Sequence, residues 1–469
     1  MENIMETVNG FVWGAPALIL ILGVGLYLSV RLNFVQLILF PEALGRFCSQ
    51  FFPKKSTEGK SSFRALCAAL AATVGTGNLV GVAGAICLGG PGAIFWMWIC
   101  GILGMVTKYS EVVLAVHYRV KKPDGFAGGP MYIITRGLPR KFHFLAYMYA
   151  LFGCIASFGV GNLTQIHAAT DGIREGVHSL GWNTGPVFDL LLAGIFAAVI
   201  GVFLLGGAKR IYSVAEWLVP FAAVVYLLLC LGVLGCYWYR IPDVISQIVR
   251  GAVSPKAVTG GMIGASFQAL RVGCSRGVFT NEAGMGTASI AHSGADTTHP
   301  VRQGMMGIME VFLDTLVICT VTALVILVSG VPIPYGTDAG GILTSRAFAV
   351  VYGQYSPMWL ALVITLLAVA AVMGWGLYGA RCAQFLFGSR AWRWFCAMQI
   401  VTIVAGAFLQ TSTVWLLAES VNGLMAIPNL ITLAVLTPEV VRLTKDYKKT
   451  GAVSAGGGNY ANFYQRKPL

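Results

Sequence analysis

Charged side chains are scarce in this sequence. Asp, Glu, Lys and Arg make up 11% of its 469 residues, against about 25% in a soluble domain. A water-facing surface for a body of this size cannot be assembled from so few charges, so lipid must solvate much of it. Acids are the scarcer sign, 19 against 32 bases, and the net charge is +13. Those bases sit in short clusters between long uncharged runs, not on an aromatic-laced face, which argues against a nucleic-acid partner. No CxxC pair occurs among the eleven cysteines, and most of them, including Cys67, Cys87, Cys100, Cys154, Cys230 and Cys319, lie inside apolar runs. They read as small buried apolar residues, not as a disulfide or metal framework. Signatures of soluble enzymes are also missing: there is no HExxH, no phosphate loop and no nucleophile elbow. Gly75-Thr-Gly77 lacks the strand, third glycine and acidic follow-up of a dinucleotide site. Neither an enzyme nor a cofactor is expected.

What the sequence does have is apolar length, with 57% hydrophobic residues and 58 glycines. A hydrocarbon core about 30 Å thick needs about 20 apolar residues of helix. Charge-free windows run over 10–30, then from Ala65 to Thr107, where Leu88-Gly-Gly-Pro-Gly92 divides two helices. Others cover 144–170, 190–208, 217–239, a short 257–270, 315–337, 347–380, 394–418 and 420–438. The expected architecture is an all-α polytopic membrane protein of eleven spans. The stretch before the first window is acidic, with Glu2 and Glu6, and the window is longer than a signal core, so it reads as a true first helix. Placing the N-terminus outside puts 26 Lys and Arg in inward connections against five in outward ones. That asymmetry predicts N-out, C-in.

Two segments have the composition of broken helices, which in many transporters hold the substrate near the bilayer midplane at matching places in inverted halves. One is 73–81, where Gly75 and Gly77 alternate with Thr76 and Asn78 in mid-span. The other is 260–277, with Gly260, Gly264, Ser266, Phe267, Gly273 and Gly277. Glycine lets the backbone leave helical geometry and expose N–H and C=O groups, which suit a carboxylate and a cation. Close packing through small residues is the competing reading. The organisation that follows is residues 1–60 as an extra helix and basic loop, 61–245 and 246–441 as five-helix repeats, and 442–469 as a basic, Gly-rich cytoplasmic tail.

The string Val74-Gly-Thr-Gly-Asn-Leu-Val-Gly81, followed by Gly89-Gly-Pro-Gly-Ala-Ile-Phe-Trp-Met-Trp98, resembles the alanine/glycine:cation symporter (sodium:alanine symporter) family. The likeness continues through Gly128-Gly-Pro-Met-Tyr132 and Arg276-Gly-Val-Phe-Thr-Asn-Glu-Ala-Gly-Met-Gly286 to His299-Pro-Val-Arg-Gln-Gly304, Asp314-Thr315 and Met425-Ala-Ile-Pro-Asn429. It implies a LeuT-like 5+5 inverted repeat behind one extra helix, in the cell membrane, taking up alanine or glycine with Na+. The resemblance puts substrate between Gly75–Asn78 and the helices carrying Gln165, Phe267 and Trp375. On that reading the N–H groups of Gly75, Thr76 and Gly77 hold the carboxylate, and Asn78 and Gln165 make polar contacts. Phe267 and Trp375 close the side-chain pocket. The implied sodium ligands come from Ala72, Thr73, Gly75 and Ala368.

This chain departs from the family where Leu367-Ala-Val-Ala-Ala371 replaces a stretch that usually ends in two threonines. Ala370 and Ala371 have no side-chain oxygen for a cation. Gly376-Leu-Tyr-Gly-Ala380 also lacks the family's acid, and Glu419 stands where an Asp is usual. Sodium coupling and a proton-coupled or uncoupled permease therefore both remain open. Acids inside a membrane are functional candidates: Glu310 and Asp314, four apart on one helix, and Glu419 are candidates for ion traffic or gating. Glu111 is expected to pair with Lys108, Glu282 to anchor an inner loop, and His167 to make a core hydrogen bond rather than relay protons. Small amino acid, Na+ or H+, and lipid are the partners implied.

Overall fold

The computed structural model describes residues 14–51, 57–253, 264–337, 340–408 and 412–450. Side chains are described throughout these stretches except at 15, 57–58, 264–267, 340, 412–419 and 450. The chain opens with α1 (Ala15–Arg31) and α2 (Phe40–Ser49). Next come α3 (Thr57–Thr73), a π turn at Gly77–Gly81, α4 (Val82–Gly89) and the long α5 (Gly92–Tyr118). A hairpin of β1 (Val120–Lys122) and β2 (Gly125–Ala127) leads to α6 (Pro130–Gly137). Then α7 (Phe144–Phe158) and α8 (Thr164–Ser179) run on through a π turn at Gly159–Leu163. They are followed by α9 (Pro186–Leu205), α10 (Gly207–Cys236) and α11 (Ile241–Val253). The second half holds α12 (Gly264–Asn281), α13 (Thr287–His292), α14 (Pro300–Val311), a π segment at Phe312–Cys319, and α15 (Thr320–Ser329). It ends with α16 (Gly340–Tyr352), α17 (Ser356–Phe387), α18 (Ala391–Gly406) and α19 (Ser412–Thr450).

Helix dominates because in lipid every backbone polar group must be satisfied within its own segment. Proline opens α1, α6, α9, α14 and α17 at the first turn, where its missing N–H costs nothing. Among the described residues seven helices are long and apolar enough to cross a membrane. Gly59–Thr73 with Gly77–Gly89, bent by 56°, makes an eighth if taken as one span. The helices divide by what surrounds them. Of the apolar window of α9, 28% is buried, and Val187, Leu190, Leu191 and Ile195 face outward, as lipid requires. In α5 the figure is 83%, which makes it the central post, packed on α1, α12 and α14. Small residues bring the backbones together there: a Cβ on Gly273 would lie 2.3 Å from the Ala93 carbonyl oxygen.

Four expectations about organisation change. The described part of the 260–277 segment is unbroken helix within α12, and the interruption comes later, at 282–286. There Glu282, Gly284 and Gly286 have φ of +53°, +96° and +78°, which ends helical geometry, while the glycines of α12 serve packing against α5. The boundary expected between 245 and 246 falls inside α11, whose Val244, Ile248 and Ala252 repeat every four residues and bury one face. The boundary at 60/61 likewise falls inside α3. The tail expected from 442 begins instead as helix through Thr450, because Thr444 and Tyr447 are buried and bonded. The Tyr109 and Thr444 hydroxyls lie 2.8 Å apart, and the Tyr447 hydroxyl donates to Glu42 at 2.5 Å. Residues 1–13, 254–263 and 451–469 lie outside the described residues.

Candidate functional site

The first helix break is made by its own sequence. α3 stops at Thr73 and the chain resumes as a π turn at Gly77. Between them the Gly75 N–H donates to Asn78 Oδ1 at 2.9 Å, so a side chain stands in for a lost helical carbonyl. That N–H was expected to hold a carboxylate; in this structure it is occupied by Asn78, because the side chain three residues on reaches it first. Thr76 Oγ1 donates to Gln165 Oε1 at 3.1 Å, and Gln165 Nε2 donates to the Val160 carbonyl at 3.2 Å. A Cβ on Gly75 would sit 3.4 Å from Gln165 Oε1 and 3.8 Å from the Ala371 methyl. Gly75, Thr76, Asn78 and Gln165 therefore meet at one level, with α17 as the wall opposite.

Trp375 closes that wall. It is 1% exposed and lies against Gly161, where a Cβ would be 2.2 Å from its own Cβ. Its ring meets Tyr378 edge to face at 5.8 Å. One turn earlier on α17 is Ala371, and Gly374 lies against Ala72, 2.9 Å from that methyl if it carried a Cβ. Of the sodium candidates, Ala72 and Gly75 thus face α17, where Ala368, Ala370 and Ala371 are all buried. The Thr73 hydroxyl is turned back on the Ala69 carbonyl at 3.4 Å. Among the described residues no group of three His, Cys, Asp or Glu gathers as a metal site. The side chains of Phe267 and Glu419 lie outside the described ones.

Of the candidate acids, Asp314 joins this site and Glu310 does not. Asn78 Nδ2 donates to Asp314 Oδ1 at 2.7 Å, and Thr315 Oγ1 donates to Asp314 Oδ2 at 2.9 Å. Glu310 is held 3.3 Å from Lys108 Nζ and 2.8 Å from His292 Nε2, all three fully buried. This corrects the expected Lys108–Glu111 pair. Glu111 Oε1 instead accepts from Gly284 N at 2.9 Å, Gly286 N at 3.1 Å and Asn429 Nδ2 at 2.7 Å. The positive φ values at the second break turn those N–H groups toward α5, and a carboxylate is the strongest acceptor available. Glu282 accepts from Thr287 Oγ1 at 2.5 Å. His167 is a helix-surface residue rather than a core one, 2.8 Å from Asp171 one turn on.

The sequence reading missed Gly161, although a signal for it was present. Gly159-Val-Gly-Asn162 repeats the pattern of Gly75-Thr-Gly-Asn78, and each stands at a π turn. Asn162 there bonds to both the carbonyl and the side chain of Gln399, tying the turn to α18. Asn281 and Asn429, which hold the second break from its two sides, stand in the sequence only as letters of longer motifs. Nothing in one sequence tells a bonded asparagine from a free one.

The profile of the sodium:alanine symporter family matches residues 1–456. A Haemophilus influenzae protein described as a transporter is 42% identical over 95% of this chain and 96% of its own length. The sodium/alanine symporter AgcS of Methanococcus maripaludis is 39% identical over 95% of this chain and 97% of its own. The probable sodium/glutamine symporter GlnT of Bacillus subtilis is 36% identical over 96% and 92%. Among solved structures, MhsT in complex with L-phenylalanine superposes with a TM-score of 0.55 at 11% identity, covering 81% of this chain and 97% of that one. At that identity the likeness concerns the fold, which is LeuT-like.

Proposed function

Because this chain belongs to the sodium:alanine symporter family, we propose that it couples sodium entry to uptake of alanine or glycine by alternating access. Membership makes it a cation-coupled amino-acid symporter of the cell membrane, multi-pass, and not an enzyme. The single observation that carries the finer reading is the meeting of Gly75, Thr76, Asn78 and Gln165 at a helix break walled by α17.

On this reading Gly75, Thr76 and Gly77 receive the substrate carboxylate, with the Gly75 N–H released when Asn78 turns away. Asn78 and Gln165 supply polar contacts, and Phe267 and Trp375 limit side-chain size. Ala72, Thr73, Gly75 and Ala368 offer oxygens to Na+, and Asp314 is the acid placed to sense it. Glu310 and Glu419 belong to gating. Eleven spans, N-out and C-in, are taken from the apolar windows and the Lys and Arg asymmetry of the sequence. Each half runs from a broken helix through one span and a short connecting element to three more helical spans, which supports a 5+5 repeat behind α1.

Ala371 against Gly75 favours a second reading, a proton-coupled or uncoupled permease, since a cation there finds no hydroxyl on α17 at that level. Alanine and glycine uptake into proteoliposomes separates them. Accumulation driven by an inward sodium gradient supports the first reading. Accumulation driven by protons alone, or equilibration without accumulation, supports the second. The pocket has its own test: Trp375→Phe is expected to relax the preference for alanine over leucine by about tenfold, the worth of one or two methylenes in a pocket. An unchanged preference removes Trp375 from the pocket.

A further inference from the structure

The two helix breaks are joined by an uninterrupted line of buried hydrogen bonds. From the first break, Gly75 N donates to Asn78 Oδ1 at 2.9 Å and Asn78 Nδ2 donates to Asp314 Oδ1 at 2.7 Å. From the second, Ala283 N donates to Asn281 Oδ1 at 2.9 Å. Asn281 Nδ2 donates to Thr315 Oγ1 at 3.2 Å, and Thr315 Oγ1 donates to Asp314 Oδ2 at 2.9 Å. Every donor in both arms points toward the same carboxylate. Bonds aligned this way polarise one another, and the two oxygens of one carboxylate can end one arm each. Asn78, Asn281, Asp314 and Thr315 are all 0–1% exposed, so water does not compete for these bonds.

The surroundings keep the line in place. Gly101 and Gly104 of α5 face it: a Cβ at Gly101 would lie 3.1 Å from the Thr315 methyl, and one at Gly104 3.5 Å from Asn281 Nδ2. One residue beyond Ala283, the Gly284 N–H passes to Glu111, which fixes the far side of the break to α5. Asp314 and Thr315 lie in the π segment 312–319, where the widened turn sets two successive side chains on one line between the breaks.

We infer that Thr315 and Asn281 are positioning residues which, through Asp314, tie the two breaks into one unit, so that a change at Gly75–Asn78 is transmitted to 282–286. The inference rests on the proposed transport reading and adds the part that makes both broken helices move together. Neither Thr315 nor Asn281 touches substrate in this scheme. Their loss slows the conformational step rather than weakening binding.

The test is amino-acid uptake by the full chain in proteoliposomes, with binding of radiolabelled alanine measured beside it. Thr315→Val keeps the shape and the methyl that faces Gly101 but cuts one arm. It is expected to lower the maximal uptake rate about tenfold or more, the worth of a buried bond feeding a carboxylate, while KM and alanine binding stay within about twofold of the parent. Thr315→Ser restores the rate. Asn281→Ala gives the same loss, and the double variant is no worse than either single one, because both cut the same arm. A Thr315→Val rate within about twofold of the parent overturns the inference. So do additive losses, or a KM that rises at constant rate. Failure of the transport reading looks different: the unmodified chain then takes up no alanine under any gradient.

Discussion

Replacing Lys108 by methionine is expected to destabilise the protein by about 3–5 kcal/mol, the usual cost of removing one partner from a buried ion pair. Lys108 is fully buried, and the carboxylates of Glu310, Glu111 and Glu282 all act on it. Methionine keeps the stem's volume and removes the ammonium that offsets them. The opposite change, Glu310→Gln, is expected to cost less. It leaves Lys108 facing Glu111 and Glu282, and the new amide can still bond to His292, which Gln303 supports from its other side at 2.7 Å. Adding Glu310→Leu to Lys108→Met is expected to recover part of the loss, since an apolar pair of similar volume is tolerated better than an orphaned charge. Thermal unfolding of the purified protein in detergent ranks the three variants. If Glu310→Gln melts below Lys108→Met, carboxylate excess is not what governs this cluster.

The second large effect is steric. Gly161→Ala places a methyl 2.2 Å from Trp375 Cβ and 2.4 Å from its Cγ, so the π turn and α17 must separate. Overpacking costs about 1–3 kcal/mol and more where backbone has to move, and here the two parting surfaces carry Gln165 and Trp375. Loss of uptake is the expected outcome. Trimming the tryptophan does not rescue it, because Trp375→Ala retains the Cβ that clashes. Gly153→Ala makes the contrast. Its methyl would meet Cys382 Sγ at 2.7 Å but Cys382 Cβ only at 3.6 Å, so Cys382→Ala is expected to restore that variant. Uptake by the two double variants reads both statements at once, and rescue of Gly161→Ala by Trp375→Ala would contradict the first.

Much of the fold was legible because its determinants are local. Uncharged length, the Gly-Pro punctuation before α5, and the alternation of glycine with Thr76 and Asn78 are properties of short strings. The first break was found where it stands. The second was sought among the glycines of α12, yet those glycines let α12 approach α5, and the helix ends at Glu282-Ala-Gly-Met-Gly286 instead. Composition gives the two uses of glycine the same letters. Partner choice was harder still. Lys108 and Glu111 are three apart in sequence, but Lys108 pairs with Glu310 of α14, and Glu111 caps a turn far along the chain. Asp314 was singled out as an acid in a membrane, whereas its hydrogen-bonded company came only with the folded structure.

The clasp between Tyr447 and Glu42 has a consequence for how the molecule is made. The two residues lie 405 positions apart, and Arg46 also donates to the Tyr447 hydroxyl at 3.0 Å. At synthesis rates of about 5–20 residues per second, Glu42 leaves the ribosome about 20–80 s before its partner exists. For that interval α2 has no clasp, and its Glu42–Arg46 pair is left to itself. A polypeptide cut short at Val441 therefore keeps the packing of α2 on α14 but never acquires the hydroxyl that Glu42 and Arg46 share.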